Sequence, residues 1–381
     1  MSNLKSVHRV ALVAFSVLVI GVVAAACGGG GSSSGSTGGG GEETGEGGGG
    51  GGGKIALLLP ESKTSRYEAH DRPEFEENVE KLCPECEIIY SNANQSTSEQ
   101  QSQGEAAVTQ GVDVMVLDPV DANAIGSVVQ KAAQEEIPVV SYDRLILNAP
   151  ISAYVSFENE RVGELQAEAL SEKLKEEGSP KGPIVMINGD PTDPNAAQFK
   201  AGAKKVFEKE GVTIAKEFDT PEWSPDQAQK EMEQSITALG ANGFAGVYAA
   251  NDGTAGGAIA AMKGAGIKPE SKPTTGQDSE LEAMQRILAG EQFMSIYKST
   301  SEETKAAAEL AVALVEGEEL PAGLITGKTD NEAEEVPSVI LEPKVVTAET
   351  MNETVVADGY WSASEICTGP YKAACKEAGI E

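Results

Sequence analysis

From residue 54 onward, short apolar runs alternate with longer amphipathic stretches. Runs at 55–59, 88–90, 112–117 and 138–142 predict strands, and the segments at 74–82, 98–110 and 122–135 predict helices. A short crossing strand is expected at 154–157, followed by a long helix at 158–177. The pattern then restarts. Strands are expected at 184–188, 212–218, 244–249, 273–276 and 294–297, and helices at 195–210, 225–239, 254–264 and 279–289. A helix at 302–315 and a strand at 336–341 close the series. Near-continuous apolar strands separated by helices imply parallel sheets covered on both faces. The reading is therefore α/β, with two doubly wound sheets and ligand-competent loops at the carboxyl ends of the strands.

The first residues follow another pattern. Lys5, His8 and Arg9 precede an apolar run at 10–23, and Ala24, Ala25 and Ala26 lead to Cys27. A basic start, an apolar core and small residues before a break read as a secretory signal over 1–26. The run is shorter than the ~20 residues a membrane span needs. Residues 28–53 contain only Gly, Ser, Thr and Glu. Such a segment cannot bury apolar surface and predicts a flexible tether spanning roughly 28 Å r.m.s..

Of the 381 residues, those from 54 on are too many for one ordinary core and suit two lobes. The formal charge is −31, and losing Lys5 and Arg9 with the signal would make it about −33. That acidity argues against nucleic-acid and anionic-lipid partners. Four cysteines follow Cys27, in two local pairs: Cys83 with Cys86, and Cys367 with Cys375. Export permits two structural disulfides. A redox CxxC or half of a zinc site are the alternatives, but no second CxxC exists and His70 is the one histidine after the signal.

Most catalytic signatures fail on context. The Gly-rich tract satisfies G-x-G-x-x-G repeatedly but precedes the first strand instead of following it. Gly48 to Lys54 has phosphate-loop spacing, yet Ile55 stands where Ser or Thr should hold magnesium. A nucleophilic site would depend on His70 alone. No enzyme, no metal and no cofactor is expected. Polar residues do gather where apolar strands end: Arg66-Tyr67, Tyr142-Asp143-Arg144, the loop from Asn188 to Asn195, Trp223, Asn251-Asp252, Gln277-Asp278 and Tyr297-Lys298. Singly, Asn251, Asp252 or Asp278 could be no more than a helix cap, and Trp223 a packing residue. Jointly they mark a ligand cleft. Carboxylates and amides exchange hydrogen bonds with hydroxyls, Arg supplies fixed donors, and Tyr67 and Trp223 offer aromatic cover for C–H faces. That chemistry suits a monosaccharide.

The run from Ser141 through Tyr142, Asp143, Arg144, Leu145 and Ile146 to the stretch 154–166 resembles the periplasmic D-xylose-binding proteins of ABC transporters. Asn251 to Ile259, Gly276-Gln277-Asp278 and Tyr297-Lys298 add to the likeness, which covers about 54–356. The residues before Cys27 resemble a bacterial lipobox, implying lipidation of Cys27 and anchoring on the extracytoplasmic face of the cell membrane. The resemblance implies a type I periplasmic-binding fold, with two doubly wound parallel-sheet lobes joined by a three-crossing hinge. The lobes are expected at 54–156 plus 298–337 and at 157–297 plus 338–381. It further implies a monomer that binds a monosaccharide, D-xylose foremost, and delivers it to an ABC permease. A broader aldose binder serving a membrane sensor is the alternative. By motif match the ligand residues are Arg66, Tyr67, Asp143, Arg144, Asn195, Trp223, Asn251, Asp278 and Lys298. Arg66 and Arg144 would donate to ring and hydroxyl oxygens, Asp143 and Asp278 would accept from hydroxyls, and Asn195, Asn251 and Lys298 would complete the shell. Tyr67 stands where xylose binders usually carry Trp, and Pro194 replaces a polar residue often found beside Asn195.

Overall fold

In a computed structural model, residues 52–380 are described. The signal segment, Cys27 and nearly all of the tether lie outside them. The order is β1 Lys54–Leu59, α1 Arg72–Leu82, β2 Glu87–Asn92, α2 Thr97–Thr109, β3 Val114–Leu117, α3 Gly126–Gln134, β4 Val139–Tyr142 and β5 Ala153–Phe157. Then come α4 Asn159–Glu176, β6 Ile184–Asn188, α5 Pro194–Glu210, β7 Ile214–Asp219, α6 Pro225–Leu239, β8 Gly246–Ala249 and α7 Asp252–Gly264. The chain continues through α8 Leu281–Leu288, β9 Ser295–Tyr297, α9 Thr300–Val315, β10 Gly327–Asp330, β11 Glu335–Leu341, β12 Lys344–Val346, α10 Ala363–Ile366 and α11 Lys372–Glu377.

The first sheet has order β10-β11-β5-β4-β3-β1-β2, parallel throughout except for the edge hairpin β10-β11. Strand periodicity divides its apolar residues between two cores. Ile55, Leu57 and Leu59 pack with Phe75 and Val79 of α1 and Leu310 of α9 on one face. Ala56 and Leu58 pack with Val108 of α2 and Val128 and Val129 of α3 on the other. The second lobe repeats this around the parallel order β7-β6-β8. There Ile184 and Met186 face α4 and α5, while Val185 and Ile187 face α6 and α7.

Three details differ from the pattern-based expectation. The expected strand at 273–276 shrinks to a bridge at Thr274, because Pro273 has no N–H to donate. It keeps two links, Val247 N to Pro273 O at 2.9 Å and Thr275 N to Val247 O at 3.1 Å. The three-residue β12 pairs antiparallel with β9 and was too short to show a period. The third crossing lies later than 337: β11 stays in the first sheet up to Leu341, which pairs with Phe157. Both cysteine pairs form disulfides, Cys83–Cys86 after α1 and Cys367–Cys375 in the C-terminal tail. Among the described residues no helix is long and apolar enough to cross a membrane, and no group of three or more His, Cys, Asp or Glu could hold a metal ion.

Candidate functional site

The carboxyl ends of β1, β4, β6, β7 and β8 converge on one tight cavity. Tyr67, Asp143, Arg144, Asn195, Trp223, Asn251, Asp278 and Lys298 all line it, joined by Thr64, Asp193, Phe199 and Gln277.

The first lobe supplies a wall of ion pairs. Asp143 follows β4 in left-handed backbone, φ +51°. Its carboxylate accepts from Arg66 Nη1 at 3.2 Å and lies 3.6 Å from Lys298 Nζ. Burial pushes the Asp143 carboxyl up, yet Lys298, Arg66 and Arg144 together hold it below the usual range. Arg66 departs from its expected role as a direct donor, for it stands behind the lining. Its Nε and Nη2 donate to Asp71 at 2.9 and 2.5 Å, and Nη2 also donates to Glu303 at 2.6 Å. A guanidinium with its donors spread over three carboxylates orients Asp143 and leaves little for a ligand.

Asp193 joins the two walls. Arg144 Nε lies 2.9 Å from its Oδ2, and Trp223 Nε1 donates to the same oxygen at 3.0 Å. Asp193 Oδ1 caps α5 by accepting from Asn195 N at 2.8 Å. Burial raises the Asp193 carboxyl despite Arg144. Asp193 belongs to the polar 188–195 loop expected at the cleft, with no individual role expected of it; its position just before an α5 that opens on Pro194 is the cap signal the sequence carries.

The second lobe contributes amides, aromatic rings and a further carboxylate. Trp223 and the preceding Glu222 adopt φ of +50° and +58°, which lays the indole against Gly189. A Cβ at Gly189 would sit 2.0 Å from the ring, so only glycine fits there. Phe199 meets the indole edge-on at 6.3 Å between centroids. Asn251 is both a helix cap and a lining residue. Its side chain and that of Thr254 form a capping box at the start of α7, and Asn251 also lines the cavity. Asp278, at φ +88°, points its Oδ1 to within 3.4 Å of Lys298 Nζ. Asn195 Nδ2 crosses the cleft to donate to Asp143 Oδ1 at 3.1 Å. Left-handed backbone at Asp143, Trp223 and Asp278 is the kind of strain, of order 1–3 kcal/mol each, that proteins concentrate at binding sites.

Two buried oxygens on this lining, Asn195 Oδ1 and Gln277 Oε1, have no hydrogen-bond donor, and Asp278 Oδ1 meets Lys298 Nζ only at 3.4 Å. An unpaired buried acceptor costs about 1–3 kcal/mol. Two such acceptors beside a loosely paired carboxylate call for a ligand that donates repeatedly. The carboxylates of Asp143, Asp193 and Asp278 face Arg144 and Lys298, with Arg66 behind, which favours a ligand without net charge.

A family described as periplasmic binding protein domain matches residues 55–319. The chain belongs to the periplasmic binding protein family. This periplasmic binding protein is 36% identical over 317 residues to the D-xylose-binding periplasmic protein of Escherichia coli, covering 82% of this chain and 92% of that one. The multiple sugar-binding periplasmic receptor ChvE of Rhizobium radiobacter is 33% identical over 284 residues, covering 70% and 80%. Among solved structures, an ABC transporter solute binding protein from Clostridium phytofermentans with bound β-D-glucose superposes with a TM-score of 0.74 at 28% identity, covering 82% of this chain and 99% of that one. The expected type I periplasmic-binding fold is thereby established.

Proposed function

We propose that this periplasmic binding protein captures a monosaccharide, D-xylose foremost, between its lobes and delivers it to an ABC permease. The observation that carries the reading is the convergence of two donor-less acceptors and a loosely paired carboxylate with two cations and an indole on one small cavity. A sugar's hydroxyls satisfy such acceptors, and its C–H face covers the ring of Trp223. Arg144 and Lys298 donate to sugar oxygens, and Asp143 and Asp278 accept from hydroxyls. Arg66 acts through Asp143. Contacts from both lobes to one ligand favour the closed state, which is what a permease would read.

Relatives named for xylose support the pentose, while relatives named for several sugars and a neighbour holding β-D-glucose support the second reading, a broader aldose binder presenting sugar to a membrane receptor. Calorimetric titration with xylose, glucose, arabinose, ribose and galactose separates the two: xylose alone binding tightly favours the first, comparable affinities the second. Binding of none refutes both. Cys27 is the proposed lipid anchor, with 28–53 as the tether. Replacing Cys27 with Ser should release the protein from the membrane fraction, and retention there would count against lipidation.

A further inference from the structure

The family match ends at residue 319, and the chain continues well beyond it. After β12 the tail forms a small core of its own on α8. Met351, Val355, Tyr360, Ile366, Cys375 and Ile380 are buried there with Ala283, Met284 and Ile287. The Cys367–Cys375 disulfide closes the far side of this platform.

Two donors leave the platform for the ligand site. Tyr360 Oη donates to the backbone oxygen of Asp278 at 3.1 Å, and Trp361 Nε1 donates to that of Ser279 at 2.8 Å. These two carbonyls belong to consecutive non-glycine residues with φ of +88° and +51°. Side-chain-bearing residues rarely hold that backbone unless their surroundings impose it. The N–H groups of the same turn are bound elsewhere, Asp278 N to Ile296 O at 2.8 Å and Ser279 N to Ser295 Oγ at 3.1 Å. The tail thus supplies the carbonyl half of the restraint that aims the Asp278 carboxylate into the cavity. The same two rings reach the first lobe. His70 stacks on Tyr360 with centroids 3.8 Å apart and planes 17° from parallel, and meets Trp361 edge-on at 4.5 Å.

We infer that Tyr360 and Trp361 are positioning residues for the ligand cavity. They hold the Asp278-Ser279 turn in its left-handed form, and through His70 they tie the tail to the first lobe, favouring the closed cleft. This rests on the sugar-binding reading above. A tail that merely covered α8 would need the two rings but not their polar hydrogens.

The full chain should be titrated with the five aldoses as wild type, Tyr360→Phe and Trp361→Phe. Both variants keep an aromatic ring and lose one donor. Each should weaken binding of the preferred aldose roughly threefold to tenfold with little change in melting temperature. Stopped-flow kinetics add a second readout. His70→Ala should raise the sugar dissociation rate about threefold with an unchanged association rate, and His70→Phe, which restores a stacking ring, should return it to the wild-type value. Wild-type affinity in both donor variants would overturn the inference, as would an unchanged dissociation rate in His70→Ala. A wild type that binds no aldose would overturn the sugar reading and the inference together, so the two failures are distinguishable.

Discussion

The two walls of the cavity are built on different principles. The first lobe brings charges that satisfy one another, Arg66 with Asp71, Asp143 and Glu303 and Arg144 near Asp118, and Asp193 of the second lobe closes on Arg144. The second lobe brings amides, an indole and a carboxylate oxygen, several with acceptors left open. A wall whose ions are mutually paired is preorganised before any ligand arrives, and its loss is felt as lost folding. A wall with open acceptors is completed by the ligand, and its loss is felt as lost affinity.

The largest effect should come from Arg66→Ala. Removing one partner from a buried ion cluster strands Asp71, Asp143 and Glu303 and should cost about 3–5 kcal/mol of stability, read from denaturant midpoints. A stable Arg66→Ala protein with weakened sugar binding alone would erase the proposed contrast. Next is Trp223→Ala, which removes the aromatic face and should weaken sugar binding by about 2–4 kcal/mol in calorimetry; unchanged affinity would take Trp223 out of the site. Asn195→Ala and Gln277→Ala should each weaken binding by about 1 kcal/mol while leaving thermal unfolding nearly unmoved. Equal losses of stability would show that the second wall, too, is mainly structural.

The remaining effect concerns pH. Glu280 Oε1 accepts from Ser65 N across the cleft at 3.0 Å, and Asp252 Oδ2 accepts from Glu280 N at 3.0 Å. Burial, aided by Asp252, pushes Glu280 up to about 8, and burial pushes Asp252 up to about 7. The folded chain therefore keeps protons that the unfolded chain releases in the ordinary carboxylate range. Stability should fall as pH rises from about 5 to 8, and Glu280→Gln should flatten that slope in melting curves recorded across the range. A slope of opposite sign would contradict the burial of this pair.

Much of the site was legible along the chain because doubly wound sheets place strand ends at one crevice. Asp143, Arg144 and Asn251 each follow an apolar run, Asp278 follows the short segment 273–276, and all four reach the cavity. Arg66 shows the limit of that reading. Its position after β1 is correct for the site, but whether an arginine faces ligand or stands behind a carboxylate depends on Asp71 and Glu303, the latter far along the chain on α9. Asp193 and Gln277 lie inside the polar runs named at strand ends and Phe199 lies close to one, yet no local pattern separates a lining residue from a cap or a core ring.

The sequence alone determined the alternation of strands and helices, the restart that makes two lobes, and the clustering of polar groups at strand ends. These follow from periodicity and local chemistry, which a linear chain carries in full. Only the tertiary structure decided the left-handed backbone at Asp143, Trp223 and Asp278, the placement of Arg66 behind the wall, and the reach of Tyr360 and Trp361 back to Asp278-Ser279. Each depends on contacts between distant segments, whose energies exceed the local preferences that sequence patterns record.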